Sequence, residues 1–183
     1  MSGVAGIFVG GRGERMGGAA KGLLVGPDGR PIVERMRDLL QGMGLDVVLV
    51  GEDARYDSLG LRAVADEPSG IGPLGGLMGL LQHADDQVVV AIACDMPFIQ
   101  APLVEQLLAA PRASVVAPRQ GTRWEPLFAR YAPESVLSAA RARASRGERS
   151  LQGLLDAVGA RELVLTEDEW RQLRDWDTPS DVG

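Results

Sequence analysis

The sequence predicts an α/β fold: a three-layer, doubly wound, mostly parallel sheet with helices on both faces. Short apolar runs rich in β-branched residues alternate along the 183-residue chain with longer segments of helical periodicity, and this order is typical of parallel sheets with crossover helices. The most apolar run, residues 88–94, is expected to be a central strand buried on both faces. A glycine-rich segment directly follows the first apolar run, at the kind of strand end where such sheets bind ligands.

The first half of the chain contains four predicted strands and two predicted helices. Four short apolar runs are read as strands: 4–9, 46–50, 61–65 and 88–94. The segment 32–42 is predicted to be helical because its apolar residues recur at helical spacing, Pro31 suits a first helical position and Gly42 or Gly44 suits the stop. A second helix is expected over 75–83, where the spacing is again helical after a Gly-Pro-Leu sequence.

The second half repeats the alternation with shorter strands. Its predicted helices are 101–109, 133–145, which is rich in Ala and Arg, and 151–158. Its predicted strands are 114–117, 125–130, despite Pro126, and 162–165, and the chain closes on residues 174–177. With no internal repeat and no linker composition, the whole chain, 1–183, is expected to form a single domain.

Composition excludes several classes of function. A formal net charge of −6 leaves no excess of basic residues for non-specific nucleic-acid binding. The single cysteine, Cys94, cannot form an intramolecular disulfide, which fits a reducing compartment. The sequence has no run of 18 apolar residues and no basic leader before an apolar stretch, so we expect no membrane span, no secretory signal and a cytoplasmic location.

Only one of the nineteen basic side chains is a lysine, and it lies at the end of the glycine-rich segment. Where arginine is used everywhere else, Lys21 indicates a position that requires a compact ammonium on a flexible stem. Arg12 and Arg15 are close to it in sequence, with Glu14 as the one nearby acid. Backbone N–H groups of closely spaced glycines together with an ammonium group are suited to a polyphosphate ligand.

Two common phosphate-binding motifs are absent from this segment. A P-loop requires Gly-Lys-Ser/Thr, but Ala20 precedes Lys21 and Gly22 follows it. A dinucleotide fingerprint requires Gly-x-Gly-x-x-Gly, and here the last position is Met16.

The segment instead resembles the signature loop of the molybdenum cofactor guanylyltransferases, within the nucleotidyltransferases of the nucleoside-diphospho-sugar transferase-like fold. That loop follows a strand with Gly-Gly, three variable residues, Arg-Met-Gly and a later Lys. The residues in register with it are Gly10, Gly11, Arg15, Met16, Gly17 and Lys21.

Three aspartates extend the resemblance. Asp95, in Cys-Asp-Met-Pro-Phe after the most apolar strand, matches the aspartate that holds Mg²⁺ on the nucleotide phosphates. Asp177, in Asp-Thr-Pro, matches a second residue near the metal, although family members have asparagine there. Asp66, before a Gly-Pro-Leu-Gly-Gly run, matches a nucleotide contact that accepts hydrogen bonds from base or ribose. The segment 124–127 matches a region of the acceptor side.

The resemblance implies a complete set of site residues. Catalysis would use Arg15, Lys21 and Asp95, and the metal ligands would be Asp95 and Asp177. Nucleotide binding would involve Phe8, Val9, Gly10, Gly11, Lys21, Asp66 and Asp95. Cys94 is expected to be a packed thiol and His83 a surface residue.

The resemblance also implies the reaction: Mg²⁺-dependent transfer of GMP from GTP to the phosphate of molybdopterin, with release of pyrophosphate. The resemblance also implies a protein partner to which the labile product is delivered. Gly51 stands where these enzymes often have a base-contacting asparagine, so a related enzyme that uses CTP or another phosphorylated acceptor stays open. A GTP-binding adaptor without turnover is the alternative from a different class.

Overall fold

The computed structural model describes residues 3–9 and 20–176, and in this part of the chain eight β-strands form one sheet with helices on both faces. Their order across the sheet is β3-β2-β1-β4-β7-β5-β6, and β8 pairs with β5. The strands are β1 Gly3–Phe8, β2 Asp46–Val50, β3 Arg62–Val64, β4 Val88–Ala93, β5 Val115–Gln120, β6 Arg123–Trp124, β7 Phe128–Tyr131 and β8 Arg161–Leu163.

The sheet is mostly parallel, as predicted. β1 pairs in parallel with both β2 and β4, β2 with β3, and β5 with β8. β7 is antiparallel to both β4 and β5, and β6 is antiparallel to β5. β5 therefore points in the same direction as β4, and only β6 and β7 oppose the other described strands.

Six α-helices cover the two faces of the sheet in the described residues. They are α1 Ile32–Gly42, α2 Pro73–Ala84, α3 Ala101–Ala109, α4 Pro133–Ser145, α5 Leu151–Ala157 and α6 Glu167–Gln172. There are also two 3-10 helices: Lys21–Leu23 precedes α1, and Ala54–Leu59 follows β2. None of the described helices has the length and apolar character needed to cross a membrane.

Alternate residues of the central strands enter two separate hydrophobic cores. Ile7 and Ile92 pack in the core that contains the buried residues of α1 and α3. Phe8 and Ala91 pack in the core that contains those of α2, α4 and α5. Because side chains of a strand alternate between its faces, a strand covered on both sides must be apolar throughout, which explains the continuous apolar runs in the sequence.

The C-terminal strands differ most from the prediction. The expected strand 125–130 begins only at Phe128, as β7. Pro126 has no N–H to donate, and residues 125–128 form a turn in which the N–H of Phe128 donates to the backbone oxygen of Glu125 at 3.1 Å. The short helix α6 was not predicted. A capping box between Thr166 and Glu169 begins it.

A buried arginine connects α3 to β7. Arg130 is 8% exposed, and its guanidinium donates hydrogen bonds to carbonyl oxygens at the carboxyl end of α3, those of Leu107, Leu108, Ala110 and Pro111. A cation suits this position because the last carbonyls of a helix lack intrahelical partners and carry partial negative charge. Burial lowers the pKa of Arg130.

Candidate active site

The carboxyl ends of four parallel strands form one edge of the sheet. Backbone hydrogen bonds continue past the strands: Val9 N–H donates to the oxygen of Val50, and Cys94 N–H to that of Phe8. Gly51 N–H likewise donates to the oxygen of Val64. These bonds fix the starts of the loops after β1, β2 and β4, with the end of β3 beside them, along a single edge, where ligands bind in sheets of this kind.

An ion pair between Lys21 and Asp95 is the centre of this edge. The ammonium nitrogen Nζ of Lys21 is 2.9 Å from Oδ2 of Asp95, with side-chain exposures of 22% and 17%. The two residues are 74 positions apart, so the fold itself brings them together. A partly buried ammonium and carboxylate in contact can act on a phosphate and on a cation respectively, which is the pairing that a metal-bound polyphosphate requires.

Each member of the pair belongs to a constrained segment. Lys21 begins a 3-10 turn that ends where the N–H of Leu24 donates to the Lys21 oxygen. Asp95 directly follows β4, and its backbone oxygen accepts a hydrogen bond of 2.9 Å from the N–H of Trp176. Trp176 in turn meets the Phe98 ring edge-on, at 6.1 Å between ring centroids. The C-terminal segment therefore contributes to the position of Asp95.

A buried tyrosine lies behind the ion pair. Tyr56, in the 3-10 helix after β2, is 1% exposed, and its hydroxyl oxygen accepts a hydrogen bond of 3.1 Å from the N–H of Gly22. A Cβ on Gly22 would lie 3.1 Å from this oxygen and 3.2 Å from Cβ of Cys94, so only glycine fits without displacement of its neighbours. Burial, and then the charge of Asp95, raises the pKa of the Cys94 thiol to about 12.

Asp66 lies at the same edge beyond β3. Its Oδ1 would be 3.2 Å from a Cβ on Gly76, which places the carboxylate over the first turns of α2. Glycines let the two segments approach: a Cβ on Gly75 would be 2.5 Å from the oxygen of Pro68, and one on Gly79 would be 2.2 Å from the oxygen of Ala65. Burial, and secondarily the negative charge of Glu52, raises the pKa of Asp66.

Asp66 is well separated from Asp95 along the edge. β2 and β1 lie between β3 and β4, so three strand spacings, roughly 14 Å, separate the two strand ends. This separation suits an elongated ligand whose phosphates approach Asp95 while its other end approaches Asp66.

The segment 124–127 precedes β7. Because β7 is antiparallel to β4, this segment lies beside the carboxyl end of β4, at the same edge. The side-chain amide of Gln152 bonds both the N–H and the oxygen of Trp124, while the indole N–H donates to Asp156 at 2.8 Å. The guanidinium of Arg119 lies 4.8 Å from the Trp124 ring centroid. With the ring 4% exposed, Trp124 is a rigid support for Glu125, whose pKa is raised by burial.

The other residues predicted for the site are either buried in the cores, distant from the ligand edge or outside the described residues. Phe8 and Val9 are buried, each in a different core, so they can meet a ligand at this edge mainly through their backbone. His83 is in the last turn of α2, which begins at the ligand edge and runs toward the amino end of β4. The remaining predicted residues, Gly10, Gly11, Arg15 and Asp177, lie outside the described residues.

Tyr56 was not identified from the sequence. Between β2 and β3, the residue type that indicates the start of a helix is Asp53. Its side chain accepts a hydrogen bond from the N–H of Arg55 at the start of the 3-10 helix. No pattern in the sequence connects a tyrosine at this position with Gly22.

The residues present fit a magnesium ion. Magnesium is usually bound by one or two carboxylates and takes its other ligands from phosphates and water. Asp95 supplies one partly buried carboxylate, and among the described residues no cluster of three or more His, Cys, Asp or Glu side chains could hold a metal.

Comparison with known proteins identifies the family. Residues 5–162 match the family of MobA-like NTP transferase domains. The chain belongs to this family. A relative from Pseudomonas entomophila (strain L48), named molybdenum cofactor guanylyltransferase, is 38% identical over 174 residues, 90% of this chain and 88% of that protein.

Solved structures with low sequence identity share the fold. Molybdopterin-guanine dinucleotide biosynthesis protein A from Archaeoglobus fulgidus has a TM-score of 0.77 at 22% identity, covering 100% of this chain and 95% of that one. The 2-C-methyl-D-erythritol 4-phosphate cytidylyltransferase from Thermus thermophilus has a TM-score of 0.67 at 17% identity, covering 98% and 95%. The family membership confirms the resemblance inferred from the glycine loop, and these structures confirm the predicted fold.

Proposed function

We propose that this protein transfers GMP from GTP to the phosphate group of molybdopterin and releases pyrophosphate. The observation that carries the proposal is the Lys21–Asp95 ion pair, 2.9 Å long, at the carboxyl edge of the parallel strands. Membership of the MobA-like NTP transferase family and the name of the Pseudomonas relative support the choice of reaction and substrates.

In the reaction, an oxygen of the acceptor phosphate attacks the α-phosphorus of GTP. A new P–O bond forms, the bond between the α-phosphorus and the bridging oxygen breaks, and pyrophosphate leaves with the electron pair. A phosphate monoester is largely ionised near neutral pH, since its second pKa is about 6, so the nucleophile needs no protein base. This agrees with the position of His83, the single histidine of the chain, in the last turn of α2.

Catalysis then depends on positioning and on neutralisation of charge. Lys21 would bind the β- and γ-phosphates as a point charge, together with Arg15. Asp95 and Asp177 would hold Mg²⁺, which supplies positive charge to the triphosphate when it is bound. Displacement of the Lys21 ammonium from Asp95 by a cation would free that ammonium for the phosphates.

The nucleoside would extend from the phosphates toward β3. There Asp66 would accept hydrogen bonds from the base or the ribose, with Gly10, Gly11 and the backbone of Phe8 and Val9 beside the nucleotide. The acceptor would lie on the opposite side of Asp95, near the segment 124–127.

The choice of base has a specific alternative. Gly51 has a φ of 101°, a backbone conformation that favours glycine, so no side chain reaches the ligand from this position after β2. A cytidylyltransferase also shares the fold. A second candidate is therefore a nucleotidyltransferase that uses CTP or another phosphorylated acceptor.

The deciding experiment measures pyrophosphate release with each nucleoside triphosphate, in the presence of Mg²⁺ and molybdopterin. We expect release with GTP, none without molybdopterin, and none after removal of Mg²⁺ by a chelator. Release with CTP in place of GTP would favour the second candidate.

Thermal unfolding in the same mixtures separates binding from turnover. Stabilisation by GTP and Mg²⁺ without release of pyrophosphate would identify a non-catalytic adaptor and contradict the proposal. A requirement for a carrier of molybdopterin would instead appear as turnover that is restored by the addition of a molybdopterin-bearing protein.

A further inference from the structure

We infer that Tyr56 is a positioning residue for the Lys21–Asp95 pair. The inference rests on the proposed function, in which this pair acts on the metal-bound triphosphate. Tyr56 is one of two tyrosines in the chain.

The contacts form a closed ring through two adjacent pairs of residues. Lys21 is followed by Gly22, whose N–H donates to the Tyr56 hydroxyl oxygen at 3.1 Å. Cys94 precedes Asp95, and its Cβ and the Tyr56 hydroxyl oxygen both pack against Gly22, at 3.2 Å and 3.1 Å from the position that a Cβ on Gly22 would take. The ion pair between Lys21 and Asp95 completes the ring. Movement of the Tyr56 hydroxyl therefore changes the separation of two backbone segments that each carry one charged group.

The Tyr56 hydroxyl stays protonated because burial raises its pKa. Its oxygen accepts the N–H of Gly22 in a buried hydrogen bond. In a buried site such a connection fixes geometry more strictly than apolar packing does, because an unmade hydrogen bond has no water to replace it.

Tyr131 provides an internal comparison. It is also 1% exposed, and its hydroxyl donates to the oxygen of Pro126 at 2.7 Å. Its hydroxyl thus makes one hydrogen bond, as that of Tyr56 does, but its partner Pro126 is adjacent in sequence to neither Lys21 nor Asp95. A Tyr131→Phe variant is therefore the matched control for the loss of a buried phenol hydroxyl.

The single lysine of the chain allows a direct test. Protein labelled with ¹³C at Cε of lysine gives one lysine signal, that of Lys21, in a correlation spectrum. The Asp95→Asn variant defines the position of this signal without the carboxylate. We expect Tyr56→Phe to move the signal more than halfway toward that position, and Tyr131→Phe to leave it at the wild-type position.

Kinetics provide the second readout. For Tyr56→Phe we expect kcat to fall about 10- to 100-fold, since small displacements of catalytic groups have effects of this size. The KM for GTP should change less than about threefold, because the change acts on the transition state more than on uniform binding of the nucleotide. Circular dichroism and thermal unfolding establish that the variant is folded.

The outcomes separate this inference from the proposed function. A lysine signal that stays at the wild-type position in folded Tyr56→Phe, with kcat unchanged, would overturn the inference while leaving the enzyme's activity intact. A shifted signal in a protein whose wild type shows no turnover with any triphosphate would support the positioning role and contradict the proposed function.

Discussion

Two carboxylates lie at the same edge of the sheet in opposite electrostatic surroundings. Asp95, at the end of β4, touches the ammonium of Lys21 at 2.9 Å. Asp66, beyond the end of β3, is partly buried near another acid, Glu52, and its pKa is raised. The carboxylate of Asp95 lies beside the positive charge of Lys21, whereas burial and the charge of Glu52 destabilise the ionised form of Asp66.

This difference indicates two kinds of ligand contact. A carboxylate with a positive neighbour can exchange that neighbour for a metal ion, and the displaced ammonium can then bind phosphate. A desolvated carboxylate with a negative neighbour gains most from neutral N–H or O–H donors that stabilise its charge. We therefore propose that the edge has one region for the phosphates, at Asp95, and another for the nucleoside, at Asp66.

The largest effect on activity is expected from removal of the negative charge of Asp95, at the end of β4. Asp95→Asn should lower kcat/KM for GTP by about 10³-fold, because loss of one preorganised electrostatic group typically costs this much. Steady-state pyrophosphate release measures it. Asp46→Asn is the matched control, since Asp46 is an exposed aspartate at the amino end of β2, and near-wild-type activity in Asp95→Asn would eliminate the assigned role.

Replacement of Lys21 by arginine tests whether charge alone is sufficient. A planar guanidinium is larger than an ammonium and has a fixed donor geometry, and the tight contacts of Gly22 with Tyr56 leave little room for adjustment. We expect kcat/KM to fall about 10²-fold. Arg30→Lys, in an exposed ion pair with Asp38, should leave activity unchanged. Full activity of Lys21→Arg would show that this position does not distinguish the two cations.

A stability effect should follow from a methyl group at Gly79 of α2. Its Cβ would lie 2.2 Å from the backbone oxygen of Ala65, so the segment that carries Asp66 must move. We expect Gly79→Ala to lower the free energy of unfolding by about 3 kcal/mol, at the upper end of overpacking costs. Gly42→Ala is the control, because nothing lies within 4 Å of its Cβ position. Urea denaturation compares the two, and equal stability would contradict the close approach.

The smallest effect concerns the charge of Asp66 itself. Its pKa in the folded protein is raised above the usual 3.8, so the ionised carboxylate opposes folding above the raised pKa, and this cost disappears below the usual value. Asp66→Asn should therefore raise the melting temperature slightly at pH 7, and the gain should fall on acidification below the raised pKa and vanish below the usual 3.8.

The affinity for nucleotide should fall in the same variant whose stability rises. The same Asp66→Asn variant should bind GTP about tenfold more weakly, as expected for the loss of one charge-assisted hydrogen bond. Thermal unfolding between pH 3 and 7 and titration with GTP measure the two quantities, with the exposed Asp86→Asn as control. A variant that is less stable at pH 7 would contradict the assigned surroundings of Asp66.

Much of the nucleotide side was predictable because it is local in sequence. Strand β2 and helices α1, α3 and α4 have the predicted bounds, since each has a clear apolar pattern and recognisable ends. The rule that parallel strands end at one edge was enough to predict that Lys21 and Asp95 lie near one another.

The features missed depend on contacts distant in sequence. The Tyr56–Gly22 hydrogen bond spans 34 positions, and Tyr56 lies in a short 3-10 helix without helical periodicity. The bonds from Gln152 to Trp124 span 28 positions. Neither contact is indicated by the composition or the spacing of the segments that make it.

The strand order has a consequence for hybrid proteins. β1 to β4 occupy one side of the sheet and β5 to β8 the other, so the chain crosses from the first half to the second between β4 and β5, through α3. Its C-terminal segment then returns to the first half, where the N–H of Trp176 donates to the oxygen of Asp95. Lys21, Asp66 and Asp95 all precede this crossing, whereas Trp124 and Glu125 follow it. A chimaera of two relatives joined at Gln100 would take Lys21, Asp66 and Asp95 from one parent and Trp176 from the other, so it would need a second parent that keeps the hydrogen bond to the oxygen of Asp95.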